Sequence, residues 1–157
     1  CGTIQVDPNL PMRLGAEYVG PDGQKHHPIM LHRAILGSLE RFLGILIENY
    51  KGAFPTWLAP VQVKILNVGE EEADAVNKLS DRLSAEGFRC ETDTRSDTMS
   101  YKIRQAAGEK CPYIVVLGKK EVAEDTVSVR FRGEQKSVTM STAEFIAKVK
   151  DDIAAKR

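Results

Sequence analysis

The chain has no net charge to speak of: 22 basic residues balance 22 acidic ones over 157 positions. Neutrality excludes neither a nucleic acid nor any other charged partner, because a local patch suffices for binding. It also lacks a cysteine framework. Cys1, Cys90 and Cys111 are odd in number and show no CxxC spacing, which argues against a disulfide scaffold and leaves reduced thiols of a cytosolic protein as the plain reading. No run approaches the ~20 apolar residues of a membrane span, and no secretory leader is visible, so no membrane partner is expected and the expected location is the cytoplasm. Internal repeats and low-complexity segments are absent as well. The chain opens on Cys1 instead of Met, so the natural N-terminus is expected upstream. A hydrophobic content of 42% with 28% charged residues fits an ordinary globular chain of one or two small domains.

What is present is organised around the stretch from Pro28 to Tyr50 (PIMLHRAILGSLERFLGILIENY). It reads as a strand over 29–36, a glycine turn, and a helix over 38–50. Leu39, Phe42, Leu43, Leu46, Ile47 and Tyr50 recur at helical spacing on one face. Ser38 is a good N-cap, with Glu40 in the positive first turn. Before this, GTIQVD at 2–7 alternates like a strand, Pro8 and Pro11 break the run, and Ala16–Val19 gives a second short strand. Pro21-Asp22-Gly23 is a hairpin-type turn. Short strands around tight turns imply an antiparallel sheet. Residues 52–60, with two prolines, a glycine and no periodicity, read as a connector.

Beyond the connector the pattern alternates strand and helix. Strands are expected at 61–67, 88–93 and 112–117, the last a continuous apolar run suited to the centre of a covered sheet. Helices are expected at 70–86 and 100–109. A hairpin of 126–132 and 136–140 precedes a final helix over 141–156, where Ser141 and Glu144 form a capping box. Domains are therefore expected at 1–51 and 61–157, the second an α/β domain with a mixed sheet.

Few residues carry chemistry on their own evidence. His32 is a lone strand histidine, which is usually structural, and His26 and His27 read as solvent residues in a turn. Arg41 in a first helical turn opposes the dipole preference, unless it pairs with Asp7 or Glu40. The Glu70–Glu72 run reads as a solvated helix start. Thr126, Ser128, Arg130 and Arg132 face one way along a strand while Val127, Val129 and Phe131 face the core. Lys102 and Arg104 project from a helix, and Lys119, Lys120 and Glu121 follow the central strand at its C-terminal end, a usual ligand position in α/β sheets. A solvated polar face is the plainer reading of this set.

The segment LHRAILGSLER with its surroundings resembles the third signature motif of class II aminoacyl-tRNA synthetases, in the form used by threonyl-tRNA synthetases, and FPTWLAPVQVKILNV resembles the entry to their anticodon-binding domain. The match extends from CGTIQVD to the end, but covers only the C-terminal part of such an enzyme. The first two motifs are missing. The resemblance implies the end of an antiparallel-sheet catalytic domain followed by the anticodon-binding domain. It implies a threonine–tRNA ligase that forms threonyl-adenylate from threonine and ATP with Mg2+, then charges tRNA(Thr). A non-catalytic RNA-binding module or synthetase-like paralogue is the alternative. A homodimeric parent is expected, and DNA is not a partner.

Residue by residue, the resemblance makes His32 one of three protein ligands to a catalytic-site zinc, the other two lying upstream; Cys1 is not one of them. Three ligands leave zinc an open position, and a site built around the threonine hydroxyl rejects valine. Arg41 becomes the catalytic arginine on the ATP triphosphate. Thr3, Gln5, Gly37 and Ser38 join it as ATP and substrate positions. Arg95, Ser96, Lys102, Arg104, Glu121 and Arg130 become anticodon-binding positions. Glu121 is informative, since a carboxylate repels phosphate but accepts from base amino groups. Ser96 departs from the family, where asparagine is frequent.

Overall fold

The computed structural model describes residues 2–157, so Cys1 lies outside it. The chain divides into two compact units, residues 1–48 and 49–157. The first contains β1 (Thr3–Asp7), α1 (Asn9–Arg13), β2 (Tyr18–Val19), β3 (Lys25–His26), β4 (Met30–Ala34) and most of α2 (Leu39–Tyr50). Strand β1 pairs antiparallel with β4 in the register Thr3↔Ala34 and Gln5↔His32. Alternation therefore places Thr3, Gln5 and His32 on one face of this ladder, and Ile4, Val6 and Leu31 on the other.

The prolines at 8 and 11 do not simply interrupt the chain, as the sequence had implied. Asp7 Oδ1 accepts the N–H groups of Asn9 and Leu10 at 2.8 and 3.0 Å, which starts α1, and Pro11 sits in its first turn, where a missing N–H costs nothing. His26 and His27 are exposed, as expected of solvent residues, and both also make local contacts: His26 Nε2 lies 2.9 Å from Asp22 Oδ2, and His27 Nδ1 2.9 Å from the Ala16 carbonyl. Helix α2 begins as its cap residue dictates, with Arg41 N donating to Ser38 Oγ at 3.3 Å. Its apolar stripe is not buried as a face, however. Phe42 and Leu46 are half-buried while Leu39, Leu43 and Ile47 are exposed, and Pro11 is the one buried residue among the described residues of this unit. Two-stranded ladders offer too little surface to cover an amphipathic helix.

The second unit has its own core. Its elements are β5 (Val63–Asn67), a 3₁₀ turn (Glu70–Glu72), α3 (Ala73–Ala85), β6 (Cys90–Asp93), α4 (Met99–Gly108), β7 (Tyr113–Leu117), α5 (Lys119–Glu124), β8 (Thr126–Phe131), β9 (Ser137–Ser141) and α6 (Thr142–Ala154). The sheet order is β6-β5-β7-β8-β9. Strands β6, β5 and β7 are parallel, and β7, β8 and β9 antiparallel. One face packs Val63, Ile65, Val115, Val127 and Val129 under α3 (Val76, Leu79, Leu83) and α6 (Phe145, Val149). On the other, Leu66 and Ile114 pack under α4 through Ala106, with Met99 and Ile103 at the edge.

Two local features were not read from the sequence. The helix expected from Glu70 is split, because Glu72 folds back to accept the Gly69 N–H at 2.8 Å and tightens the first turn. The same device recurs after β7, where Glu121 Oε2 accepts the Gly118 N–H at 3.0 Å and opens α5. Residues 54–60 are laid onto the second unit by side chains that satisfy their carbonyls. Gln62 Nε2 donates to Thr56 O at 2.9 Å, Arg89 to Ala59 O and Trp57 O at 2.9 Å each, and Arg132 to Phe54 O at 2.7 Å.

Candidate nucleic-acid interface

Helices α3 and α4 leave the C-terminal ends of adjacent strands β5 and β6 toward opposite faces of the sheet. Such a divergence opens a crevice that doubly wound sheets use for ligands. At this crevice lies the loop after β6, which carries Arg95 and Ser96. Arg95 is half exposed and donates through Nε and Nη2 to the two Asp93 oxygens at 2.9 and 2.7 Å. This bidentate pair is the largest influence holding the Asp93 carboxyl down at about 2. Arg95 is thus held in place and still reachable from solvent. Ser96 Oγ donates to Glu70 Oε1 at 2.8 Å, so its hydroxyl is committed across the crevice instead of outward.

Lys102 departs from expectation. It does not project into solvent but is 2% exposed. A helix position facing the sheet at the spacing of Met99, Ile103 and Ala106 leaves it no outward route. Its ammonium makes no free cation for RNA, and the contact expected of it is withdrawn.

Arg104, on the opposite side of α4, is exposed. Beside α4 the sheet continues as β8 and β9, whose register places Ser128 over Val116 and Arg130 over Ile114. Arg104 and Arg130 line one cavity of about 370 Å³ with Ser100, Ile103 and Ala107. Arg130 Nε donates to the Glu134 carbonyl at 2.9 Å, which fixes the guanidinium and leaves its terminal amino groups available. An apolar floor with two guanidinium groups at its rim can stack a base and bind its edge or its phosphate.

Glu121 is not brought into this cavity. It lines a separate one of about 250 Å³ with Lys78, Arg82, Val122 and Asp125, and one of its oxygens is taken by the Gly118 cap. Lys119 pairs with Glu71 at 2.6 Å. Arg132, expected on the basic strand face, spends its Nη1 on the carbonyls of Phe54 and Lys110 at 2.7 and 3.0 Å. The anticodon-type positions therefore fall into three places: the β5–β6 crevice, the α4–β8 cavity, and the start of α5. Burial pushes the thiols of Cys90 and Cys111 up to about 11, so neither is a nucleophile at neutral pH.

In the first unit, Thr3, Gln5 and His32 share the exposed polar face of the β1–β4 ladder. Gly37 adopts φ 72° at the turn into α2, a conformation that glycine supplies without strain. Arg41 is exposed in the first turn of α2. Glu40, its adjacent candidate partner, accepts the Ser38 hydroxyl at 2.7 Å instead.

Residues 62–152 match the family described as the anticodon binding domain, and residues 1–50 match the tRNA synthetase class II core domain (G, H, P, S and T). The chain belongs to the anticodon-binding domain family. Its curated relatives include threonine–tRNA ligases. That of Clostridium botulinum (strain Okra / Type B1) is 50% identical over 156 residues, 99% of this chain and 25% of the relative. That of Delftia acidovorans is 53% identical over 160 residues, again 99% and 25%. The chain thus spans about a quarter of the length of the curated relatives it matches. Among solved structures, the RNA binding domain of threonyl-tRNA synthetase from Cryptosporidium parvum Iowa II superposes with a TM-score of 0.79 at 30% identity, covering 96% of this chain and 38% of that one. A prolyl-tRNA synthetase from Cryptosporidium parvum shares the fold at 19% identity, with a TM-score of 0.65 over 98% of this chain and 35% of that one.

Proposed function

We propose that this chain is the C-terminal portion of a threonine–tRNA ligase and that its second unit reads the anticodon of tRNA(Thr). The observation that carries the reading is the placement of Arg104 and Arg130, from a helix and a strand, around one cavity with an apolar floor. Arg95 extends the basic surface into the crevice. Glu121 offers its remaining carboxylate oxygen as an acceptor for a base amino group, and Ser96 sits next to Arg95 with its hydroxyl already engaged. Phosphate attraction would come from the arginines and specificity from the acceptor.

In the parent enzyme the first unit would contribute to threonyl-adenylate formation. Arg41 would bind the triphosphate of ATP and stabilise charge developing at the α-phosphorus; ATP would arrive with Mg2+. Thr3, Gln5, Gly37 and Ser38 would line the same pocket. The residues described do not make a zinc site by themselves, since no three His, Cys, Asp or Glu side chains converge among them. His32 would serve as one ligand of a set completed elsewhere in the parent, and no step is assigned to the metal in this chain. A cytoplasmic homodimer is the form proposed for that parent.

Titration of the chain with a threonine-anticodon stem-loop and with a scrambled loop tests the reading. Wild type should prefer the cognate loop, and Arg130→Ala or Arg104→Ala should each remove about 1–3 kcal/mol of binding, the scale of one base contact. Equal affinity for both loops in wild type would refute anticodon reading by this unit.

A further inference from the structure

Lys102 is a cation placed where a helix of this kind would ordinarily carry an apolar side chain. Its Nζ lies 2.7 Å from Asn67 Oδ1, 3.3 Å from Asn67 O and 3.4 Å from Asp93 O. Three donors thus meet three oxygens. Asn67 ends β5 and Asp93 ends β6, neighbouring parallel strands, so one ammonium ties together both chain exits at the crevice. Each acceptor leads onward. Asn67 Nδ2 donates to Gly69 O at 2.7 Å, which fixes the start of the 3₁₀ turn. Asp93 holds Arg95, and Arg95 Nη2 returns to α4 by donating to Gln105 Oε1 at 2.5 Å. The network closes as a ring: from α4 through Lys102 to the strand ends, through Arg95, and back to α4 at Gln105.

We infer that Lys102 is a positioning residue for anticodon recognition, holding the Arg95 loop and setting α4 so that Arg104 faces Arg130. An apolar replacement would remove the cost of a buried charge, so a gain in stability is not what the lysine supplies. It supplies a fixed relation between the loop that carries Arg95 and the helix that carries Arg104. The inference rests on the anticodon-reading proposal and adds to it a residue that touches no RNA.

The test uses the 157-residue chain with the cognate and scrambled stem-loops, after circular dichroism has verified folding. Lys102→Met should lower affinity for the cognate loop about tenfold, the order of one base contact, while binding of the scrambled loop changes less than about twofold because surface charges facing phosphate remain. A residue that only stabilised the fold would leave the ratio between loops unmoved in a folded variant. An unchanged ratio in folded Lys102→Met therefore overturns the inference. If that variant does not fold, Gln105→Ala decides, since Gln105 is exposed and opens the same ring at its surface link. It should reduce the cognate preference with scrambled-loop binding unaltered, and an unchanged preference overturns the inference here too. Failure of wild type to discriminate the loops would instead remove the anticodon reading itself, which separates the two results.

Discussion

Asp93 and Arg95 meet as a two-pronged pair, the arginine Nε and Nη2 each donating to a different carboxylate oxygen. The pair holds a nearly buried carboxyl at about 2, against an ordinary value of 3.8. A carboxyl depressed in the fold binds its proton more readily when unfolded. Its stabilisation is therefore complete above the ordinary value and is lost as pH falls toward 2. The expected contribution is about 2 kcal/mol. Urea unfolding at a series of pH values should show the acid limb flattening in Asp93→Asn relative to wild type. Parallel limbs for the two proteins would show that the pair carries no such linkage.

Glu121 separates capping from recognition. Glu121→Ala removes the acceptor for the Gly118 N–H and should cost about 1 kcal/mol. Glu121→Gln keeps a carbonyl that can accept the same N–H, so its unfolding midpoint should stay near wild type. Both variants should lose preference for the cognate loop, because neither retains the carboxylate. Retained preference in Glu121→Gln would assign Glu121 to the helix start alone.

How far the sequence could be read depended on whether each feature was local. The Ser141–Glu144 box was legible and is formed, with Glu144 N donating to Ser141 Oγ at 3.2 Å and Ser141 N to Glu144 Oε2 at 2.9 Å. Alternation along β8 was legible too, since Val127 and Val129 are fully buried. Helix α5 was missed because its six residues show no period; its signal was the glycine three positions before Glu121. Lys102 could not be read as buried, because its acceptors come from strands 35 and 9 residues away. For the same reason Arg132 read as a surface cation while its partners sit in the connector and at the end of α4.

The apolar residues left open in the first unit have a measurable signature. The full chain should bind the dye ANS, and residues 49–157 alone, which bury their own two clusters, should fold and bind far less of it. Equal dye fluorescence per chain from both would show that the exposed stripe of α2 and the Ile4–Val6–Leu31 face are covered in solution.

Zinc offers a further check on His32. One imidazole on an exposed strand does not hold the ion at the strength of a full ligand set. After dialysis the 157-residue chain should retain well under one zinc per molecule by elemental analysis. A stoichiometric, tightly held zinc would mean that His32 belongs to a different ligand set from the one proposed.

The sheet order has a consequence for the making of the protein. Strand β5 sits between β6 and β7, and both follow it in the chain. A ribosome therefore delivers β5 before either of its neighbours and leaves Val63, Ile65 and Leu66 without the second of them until Tyr113–Leu117 has emerged. Parallel pairing across such intervals is slow and leaves strand edges open to other chains. Translation that pauses between Asp93 and Tyr113 would hold a half-built sheet, with β5 paired on one side only, and would favour aggregation of nascent chains. A pause after Leu117 is benign by comparison, because β8 and β9 add as a local antiparallel meander onto a strand already in place.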